Sequence, residues 1–443
     1  MTAEPLNLLS DLIARARKAG ADAADAVLIS GTSLSVSRRL GETEHVERSE
    51  GRDLGLRVFL GQRAAIVSST TVDPSSFQDL AERAVAMARV VPEDPFGGLA
   101  DTAAPPEEVL LDLVDPSEPS VDALMARAAA AEDAARAVND ITNTDADAGY
   151  GRSEAFLVTS AGFAGGHVRT SHSVSATAVA GTGTDMQRDY DYHTTMHLAD
   201  LDDPVGIGRA AAERAIARLH PARPPTAKLA VVYDPRVSGS LLGHLAGAIN
   251  GSSVARGTTF LKDKLGVRIF GERIEIHDDP RRIRGLRSRI FDGEGTPTEA
   301  RDIIAAGVLT TWLLDSRSAR QLGMRSTGHA SRGTSGPPSP GPTNLYLAAG
   351  ELTPAELMAD ITLGLYVNEL IGMGVNGVTG DYSRGASGFM IRNGAIAEPV
   401  AEITIAGSLL EMFAHMTPAK DLQFRRGTDA PTVRVEGMTM AGA

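Results

Sequence analysis

The chain contains no cysteine, no long apolar run and no excess of positive charge. Without cysteine it has no disulfide bonds, thiolate metal sites or cysteine nucleophile, which fits a reducing compartment. No run of about 18 apolar residues occurs, so the sequence predicts no transmembrane helix. The net charge of −13 argues against nucleic-acid binding, because phosphate recognition requires clustered Lys and Arg. We therefore expect neither a membrane nor a nucleic-acid partner.

The chain also starts without the features of a secretory signal. Its first residues, Met-Thr-Ala-Glu-Pro-Leu-Asn-Leu-Leu, have neither a basic region nor a cleavage site. Together with the absence of cysteine, this predicts a cytoplasmic location. The chain has 443 residues, 42% of them apolar. That length suits about two to three domains with their own cores.

Sequence motifs for hydrolytic or nucleotide chemistry are absent or weak. Neither G-x-S-x-G nor H-E-x-x-H occurs. Gly372 to Gly377 matches G-x-G-x-x-G, but the next residues, Val-Thr-Gly-Asp-Tyr-Ser-Arg-Gly, are incompatible with the helix that a phosphate-binding loop must open. His193 and His197 lie in a strand-like segment, where four residues span roughly 13 Å, so we expect packed or exposed histidines and no shared metal. These residues alone predict no catalytic constellation.

Two charged segments have competing interpretations. Asp292 and Glu294 would project to the same face of a strand, which suits general acid–base catalysis. Asp-Gly-Glu-Gly is also typical of a tight, solvated turn, and we favour that interpretation. A basic segment is interpreted as a solvated loop or hairpin face, balanced by the nearby acids Asp278, Asp279, Asp292 and Glu294. Its members are Arg281, Arg282, Arg284, Arg287 and Arg289.

Apolar periodicity predicts an α+β module at the N-terminus. Apolar residues recur at helical spacing from residue 6 to 16. The segments 56–60 and 64–67 flank a short turn and predict a hairpin, and Asp73-Pro74 predicts the start of a second helix. The order of helix, strands and helix recurs between residues 121 and 219, which indicates two related halves.

Residues 220–225, His-Pro-Ala-Arg-Pro-Pro, are predicted to be a linker because prolines end helices and stiffen connections. We expect an N-terminal α+β domain, 1–222, with an antiparallel sheet flanked by helices. We expect a C-terminal mostly β domain, 226–443, built as a sandwich or barrel with a few helices. Its predicted strands are 229–233, 267–276, 308–314, 388–391, 403–405 and 433–435.

Two segments of the C-terminal part have unusual composition. Residues 374–389, Gly-Val-Asn-Gly-Val-Thr-Gly-Asp-Tyr-Ser-Arg-Gly-Ala-Ser-Gly-Phe, combine closely spaced glycines with one Asp, one Tyr and one Arg. Glycine allows close backbone approach, so we predict a recognition surface there. Residues 331–342 offer no residue able to anchor them in a core, which predicts a mobile loop.

Several ordered motifs resemble the PmbA/TldE branch of the TldD/PmbA family, and they cover nearly the whole chain. They are Leu56-Arg57-Val58, Asp94 to Leu99, Leu241 to Gly251, Ser288, Asp292-Gly-Glu-Gly295, Leu322 to Gly328, Val378 to Phe389 and Glu436 to Gly442. The resemblance implies a two-subunit zinc metalloprotease. The TldD-type partner carries His-Glu-x-x-x-His on the helix that corresponds to residues 241–251 here.

This chain departs from that partner's pattern. Its helix offers His244 among glycine and apolar residues, with Asn250 at the end, and the family's Cys-Gly-Lys segment has no counterpart. A hydrolytic zinc needs about three protein ligands and one open position. The resemblance therefore implies a non-catalytic subunit with no catalytic residue, metal ligand or cofactor of its own, and zinc on the partner.

The resemblance also implies which residues face a peptide or the partner. We expect His244, Asn376, Asp381, Tyr382 and Arg384 to line the cavity of a heterodimer with the TldD-type subunit, where a peptide is held through its main chain. Two alternatives stay open. In the first, Asp381 and Arg384 pair with each other to hold the turn. In the second, His244 is an ordinary buried helix residue.

Two functions are compatible with these observations. The first is the accessory subunit of a cytoplasmic peptidase that cleaves small unfolded peptides, such as peptide-antibiotic precursors or antitoxins. The second is a non-proteolytic binding protein, in line with the family's description as a modulator of DNA gyrase. A homodimer of the isolated chain is also compatible with the resemblance, because related partners share one architecture.

Overall fold

A computed structural model describes residues 3–102 and 109–442. Within these ranges no helix is long and apolar enough to cross a membrane. The N-terminal helices are α1 (Ala3–Lys18), α2 (Phe77–Val90), α3 (Val121–Arg136) and α4 (Pro204–Ala217). The N-terminal strands are β1 (Ala23–Arg39), β2 (Glu42–Leu60), β3 (Arg63–Ser69), β4 (Ile141–Thr159), β5 (Ala164–Ala180) and β6 (Gln187–Thr195).

These strands form one antiparallel sheet in the order β3-β2-β1-β4-β5-β6. The order of helix, three strands and helix occurs twice along this part of the chain. The two copies meet where β1 pairs with β4. The hairpin predicted at 56–60 and 64–67 is confirmed as the end of β2 paired with β3, with Leu60 opposite Arg63.

Side chains alternate between the two faces of this sheet, as the period of two residues in a strand requires. Ala26 and Leu28 of β1 belong to the core beneath α1 and α2. Val27 lies between them and packs on the other face with Leu157 and Phe291. Helices therefore cover one face, and the C-terminal part of the chain packs on the other.

The C-terminal part contains further helices and strands. The helices are α5 (Pro235–Ala248), α6 (Gly251–Ala255), α7 (Ser316–Gln321), α8 (Pro354–Met358) and α9 (Leu409–Ala414). The strands are β7 (Ala227–Tyr233), β8 (Ile276–Asp278), β9 (Arg301–Ala305), β10 (Val308–Leu309), β11 (Ala330–Ser331), β12 (Ser339–Pro340), β13 (Leu345–Leu347), β14 (Leu363–Ile371), β15 (Asp381–Arg392), β16 (Ala395–Ser408), β17 (Met416–Pro418), β18 (Thr428–Asp429) and β19 (Val433–Ala441).

A closed barrel forms the centre of this part. Its strands follow the order β16-β15-β14-β7-β19, and β19 pairs back with β16. All pairs are antiparallel except β7 with β14. The buried face of α5, with Leu241 and Leu245, shares one core with Tyr233 and Leu365 of the barrel. The predicted α+β class and barrel-like C-terminal part are confirmed.

Local signals for helix starts are also confirmed. The Asp234 side chain accepts a hydrogen bond from Arg236 N at the start of α5, and Pro235 occupies the first turn. Thr353 and Glu356 form a reciprocal capping box at α8. The domain boundaries 1–222 and 226–443 stay a prediction.

Three expectations for the C-terminal part are wrong. The strand predicted at 267–276 is limited to β8 at its end, and the strand predicted at 308–314 is limited to β10. In addition, β14 is missing from the prediction, although it pairs with β7 and with the neighbouring β15. Residues 331–342 are anchored: the Arg332 side chain is only 1% exposed and forms an ion pair with Asp25. The anchor comes from β1, more than 300 residues away in the sequence, so composition alone could not reveal it.

Candidate functional site

A groove lies along the face of α5 that does not enter the core. Gly243 and Gly247 are exposed on this face, and a Cβ built on either would have no described atom from outside the adjacent turns of α5 within 4 Å. The groove encloses about 270 Å³ and reaches the connection between β14 and β15. Its lining also includes His244, Ser253, Thr258, Phe260, Met373, Val375, Gly377, Arg384 and Leu409. The glycines leave the helix backbone accessible from the groove.

His244 is the ionisable residue that α5 presents to this groove. Its ring stands edge-on to Tyr382, with the centroids 5.8 Å apart. Its Nε2 atom is buried and has no hydrogen-bond partner among the described residues. Burial, and then the positive charge of Arg384, lower the pKa of His244. The imidazole is therefore held neutral beside a cation.

Arg384 and Tyr382 occupy different environments although both belong to β15. Arg384 lines the groove, and its Nε donates to the Ile371 carbonyl at 3.3 Å. The Tyr382 side chain points into the barrel and is 1% exposed. The expectation that Tyr382 faces an open cavity is therefore wrong for this chain, because its ring packs in the core shared with Tyr233 and stands edge-on to His244.

Asn376 and Asp381 hold the turn between β14 and β15. Asn376 Oδ1 accepts from Val378 N at 2.9 Å, and Asp381 Oδ2 accepts from Thr379 Oγ1 at 2.6 Å. Neither residue belongs to the groove lining. Among the described residues, Asp381 and Arg384 form no ion pair, so the structure does not support that alternative. The turn runs directly into β15, and the prediction that no phosphate-binding helix follows Gly377 is confirmed.

The rim of the groove carries exposed apolar side chains. Ile371, Met373 and Val378 are 57%, 88% and 56% exposed. They lie on or beside the β14–β15 connection, whose position is fixed by the hydrogen bond from Phe260 N to Gly377 O. Exposed apolar side chains grouped at one place are typical of an interaction surface.

The two histidines considered as a metal pair make separate contacts. His193 Nδ1 accepts from Asp202 N at 3.1 Å, whereas His197 Nε2 lies 3.0 Å from the Asp112 carbonyl oxygen. Both residues are largely buried in β6 and just after it. Across residues 3–102 and 109–442, no three His, Asp or Glu side chains are placed to hold a metal ion together.

Asp292 and Glu294 are buried, at 2% and 4% exposure, so the prediction of a solvated turn is wrong. Asp292 accepts hydrogen bonds from Glu294 N, Thr296 N and Ala330 N. Glu294 accepts from Ser316 N at 2.8 Å. Burial, and then the charge of Glu294, raise the pKa of Asp292 to about 7. The donors Ala330 N and Ser316 N come from distant segments, which the turn-like sequence does not reveal.

A second cavity of about 560 Å³ lies between the N-terminal sheet and the C-terminal part. Its walls include Val27 and Phe291 together with Arg169, Arg289 and Arg332. The interpretation of the basic segment 281–289 as solvated fits the exposed Arg284 and Arg287 but is wrong for Arg289, which is mostly buried against this cavity.

A buried ion network borders this second cavity and joins the sheet to the C-terminal part. Asp25 lies 2.9 Å from Arg57 Nε and 2.6 Å from Arg332 Nη1. Arg57 also lies 3.8 Å from Glu294. Burial opposes ionisation of Asp25, but Arg332 and Arg57 outweigh it and hold its pKa below the ordinary value of 3.8.

Comparison with known proteins places these features in a family. Models described as the PmbA/TldA metallopeptidase domain 1, central domain and C-terminal domain match residues 24–88, 114–219 and 226–442. The metalloprotease PmbA of Escherichia coli O157:H7 is 39% identical over 432 residues, which cover 95% of this chain and 92% of that protein. The chain belongs to the PmbA/TldD metallopeptidase family. The predicted resemblance is confirmed.

Solved structures of this family share the fold. A Bacteroides thetaiotaomicron protein, described as a candidate modulator of DNA gyrase, superposes with a TM-score of 0.91 at 27% identity and 100% coverage of both chains. TldE from Thermococcus kodakarensis superposes with a TM-score of 0.86 at 21% identity, covering 98% of this chain and 100% of that one. The similarity to TldE shows a shared fold and carries no further conclusion.

A metallopeptidase family implies a metal, and the α5 groove of this PmbA/TldD family member does not fit one. A hydrolytic zinc is held by about three His, Asp or Glu ligands. On α5, His244 is followed by Leu, Ala, Gly and Ala, and Asn250 is occupied as the cap of α6. The nearby Arg384 guanidinium would repel a bound cation.

Several groove residues of this family member were not predicted. Phe260 carries no local signal, because the turn that brings it to Gly377 is formed by residues more than 100 positions apart. Met373 could have been found, since a large apolar residue between two glycines of a turn has no core to enter.

Proposed function

We propose that this chain is the non-catalytic subunit of a cytoplasmic two-chain metalloprotease that cleaves small unfolded peptides. A TldD-type subunit supplies the zinc and the catalytic groups, and the α5 groove forms part of the peptide cleft. The observation that carries this proposal is the environment of His244. It is the one histidine of α5, and it faces Arg384 and Tyr382 where a catalytic helix would need further metal ligands.

The groove supports a role in holding peptide. Gly243 and Gly247 expose the backbone of α5, and Arg384 supplies a cation at one wall. An extended peptide needs such close approach to main-chain groups more than it needs large side-chain pockets. His244 and Arg384 are the residues we assign to peptide or partner contact. Asn376 and Asp381 would act by shaping the turn, and Tyr382 by supporting His244 from the core.

The rim supports a heterodimer. Ile371, Met373 and Val378 leave apolar surface beside the groove that a partner would cover. We assign this surface to the TldD-type subunit, since that subunit would bring His-Glu-x-x-x-His to the same cleft. A homodimer of the isolated chain would pair this apolar rim with the same rim of a second copy, related by a twofold axis.

Peptide digestion by this chain, by a TldD-type subunit and by their mixture tests the proposal. We expect cleavage of an unfolded peptide only when a TldD-type subunit is present, and a complex of the two chains in size-exclusion chromatography. Cleavage by this chain alone would contradict the proposal. Tight binding to a folded target such as gyrase, with no complex with a TldD-type subunit, would favour the alternative of a regulatory binding protein.

A variant that fills the groove gives a sharper test. Gly247→Leu places a side chain in the groove, and its Cβ would meet no described atom outside the neighbouring turns of α5 within 4 Å. We expect cleavage by the mixed complex to fall by about tenfold or more, because displaced substrate loses productive geometry. Gly206→Leu is the matched control: Gly206 is exposed on α4, and its Cβ would also be free of contacts. Equal activity of the two variants would show that the α5 groove is not part of the peptide cleft.

A further inference from the structure

The cavity between the N-terminal sheet and the C-terminal part has a cationic wall that the proposed peptidase role does not use. The guanidinium groups of Arg169, Arg289 and Arg332 line it. Arg169 is fixed by donating to the carbonyl oxygens of Leu286 and Ser288, at 3.1 and 3.3 Å. The cavity volume of about 560 Å³ lies in the range of small-molecule sites.

Two of these guanidinium groups have unused donors. The Arg332 side chain is 1% exposed, and beyond its ion pair with Asp25 its Nε and Nη2 have no hydrogen-bond partner within residues 3–102 and 109–442. The buried Nε of Arg289 is also unpaired, and no hydrogen bond or ion pair within the described residues involves its guanidinium. Buried guanidinium donors without hydrogen-bond acceptors cost free energy, and an anion in the cavity would supply those acceptors.

His167 reports the same excess of positive charge. Its Nδ1 is buried without a hydrogen-bond partner in the part of the chain that the structure describes, and the residue lines the cavity beside Arg169 and Arg289. Burial, and then the charges of Arg169 and Arg289, lower the pKa of His167 to about 4. Arg169, Arg289 and Arg332 also have lowered pKa values, chiefly because of burial.

The remaining walls define what kind of anion fits. Val27 and Phe291 are 7% and 5% exposed and give the cavity an apolar side. Glu154 and Asp292 line it as well, and these carboxyl groups disfavour a dianion such as a phosphate monoester. Planar guanidinium groups match the two oxygens of a carboxylate. We propose that this cavity binds a carboxylate monoanion that carries an apolar group, either a free N-acylated amino acid or the C-terminal end of a peptide.

Isothermal titration of the full chain with N-acetyl-L-leucine and with N-acetyl-L-leucinamide tests the proposal. The two compounds differ in the carboxylate, and we expect the acid to bind about tenfold tighter or more, as charge-assisted hydrogen bonds require. The tripeptide Ala-Ala-Leu, with a free carboxylate, distinguishes the two sources: tighter binding than N-acetyl-L-leucine assigns the site to peptide ends, and weaker binding to single residues. Equal binding of acid and amide, or equal binding of inorganic phosphate and N-acetyl-L-leucine, would overturn the proposal.

Substitutions of Arg289 test whether the acid binds in this cavity. Arg289→Gln removes a guanidinium that makes no ion pair within the described residues, so we expect the fold to be kept and the affinity for the acid to fall by about tenfold. Arg289→Lys keeps the charge without the planar fork and should recover part of the loss. Arg282→Gln is the control, because Arg282 stacks on Phe424 outside the cavity. Unchanged affinity in Arg289→Gln would contradict the site.

The proton NMR titration of His167 supplies a readout that a structural role of Arg289 would not move. A bound carboxylate offsets the charges of Arg169 and Arg289, so the pKa of His167 should rise from about 4 when the acid binds. The amide should leave it unchanged. A His167 titration that does not respond to the acid would place the binding elsewhere.

Discussion

Replacing Asp25 with alanine is expected to lower the free energy of unfolding by about 3–5 kcal/mol. Asp25 is 1% exposed and lies between Arg57, on the neighbouring strand β2, and Arg332, from the C-terminal part. Removing its carboxylate leaves two buried guanidinium groups without their main counter-charge. The cost of an uncompensated buried charge exceeds the loss of one ordinary hydrogen bond.

Urea unfolding of Asp25→Ala measures this effect, and Glu50→Ala is the matched control. Glu50 pairs with Arg48 on the surface at 2.9 Å, with both side chains at least 60% exposed. Exposed pairs contribute about 1 kcal/mol or less. If Asp25→Ala and Glu50→Ala lowered the free energy of unfolding by the same small amount, Asp25 would not stabilise the contact between the two parts of the chain.

The same network predicts a pH dependence. The pKa of Asp25 in the folded chain lies below 3.8, its ordinary value. Stabilisation by Asp25 is therefore complete above that value and is lost as the pH falls through the folded-state pKa. Asp25→Ala should narrow the difference in stability between pH 7 and strongly acidic pH.

Replacing Gly388 with alanine is expected to lower the free energy of unfolding by about 3 kcal/mol or more. The added Cβ would lie 1.9 Å from the Tyr366 carbonyl oxygen and 3.0 Å from the Val367 Cα. Both are backbone atoms of β14, which pairs with β15 in the closed barrel. Relief would require moving one strand of the barrel away from its neighbour.

Thermal or urea unfolding of Gly388→Ala and Gly377→Ala separates the two kinds of glycine in this segment. A Cβ at Gly377 would have no atom within 4 Å, so we expect a change within about 0.5 kcal/mol. An unchanged free energy of unfolding in Gly388→Ala would show that the barrel tolerates a wider separation of β14 and β15 there. Gly388 of the segment 374–389 therefore serves strand packing, whereas the recognition surface predicted there stays a prediction.

Sequence predicted the features whose cause is local. The hairpin of β2 and β3, the cap at Asp234 and the capping box of Thr353 depend on residues within a few positions. The family motifs likewise predicted the groove helix with His244. Local patterns are sufficient in these cases because the partners are adjacent along the chain.

The sequence could not predict features that depend on distant partners. The barrel closes through pairs such as Thr404 with Ala441, and β14 joins it through β7. Asp292 is buried because Ala330 N completes its hydrogen bonds, although its local sequence is that of a solvated turn. Tyr382 enters the core because it packs with Tyr233 and residues of α5, which lie more than 130 positions earlier in the chain.

We propose that this chain does not hold a hydrolytic metal by itself. The most direct test is the zinc content of the purified chain after dialysis against zinc-containing and then zinc-free buffer, measured by mass spectrometry. We expect far less than one zinc ion per chain, unchanged in His244→Ala, and stoichiometric zinc only in the complex with a TldD-type subunit. One zinc ion retained per isolated chain and lost in His244→Ala would contradict the account.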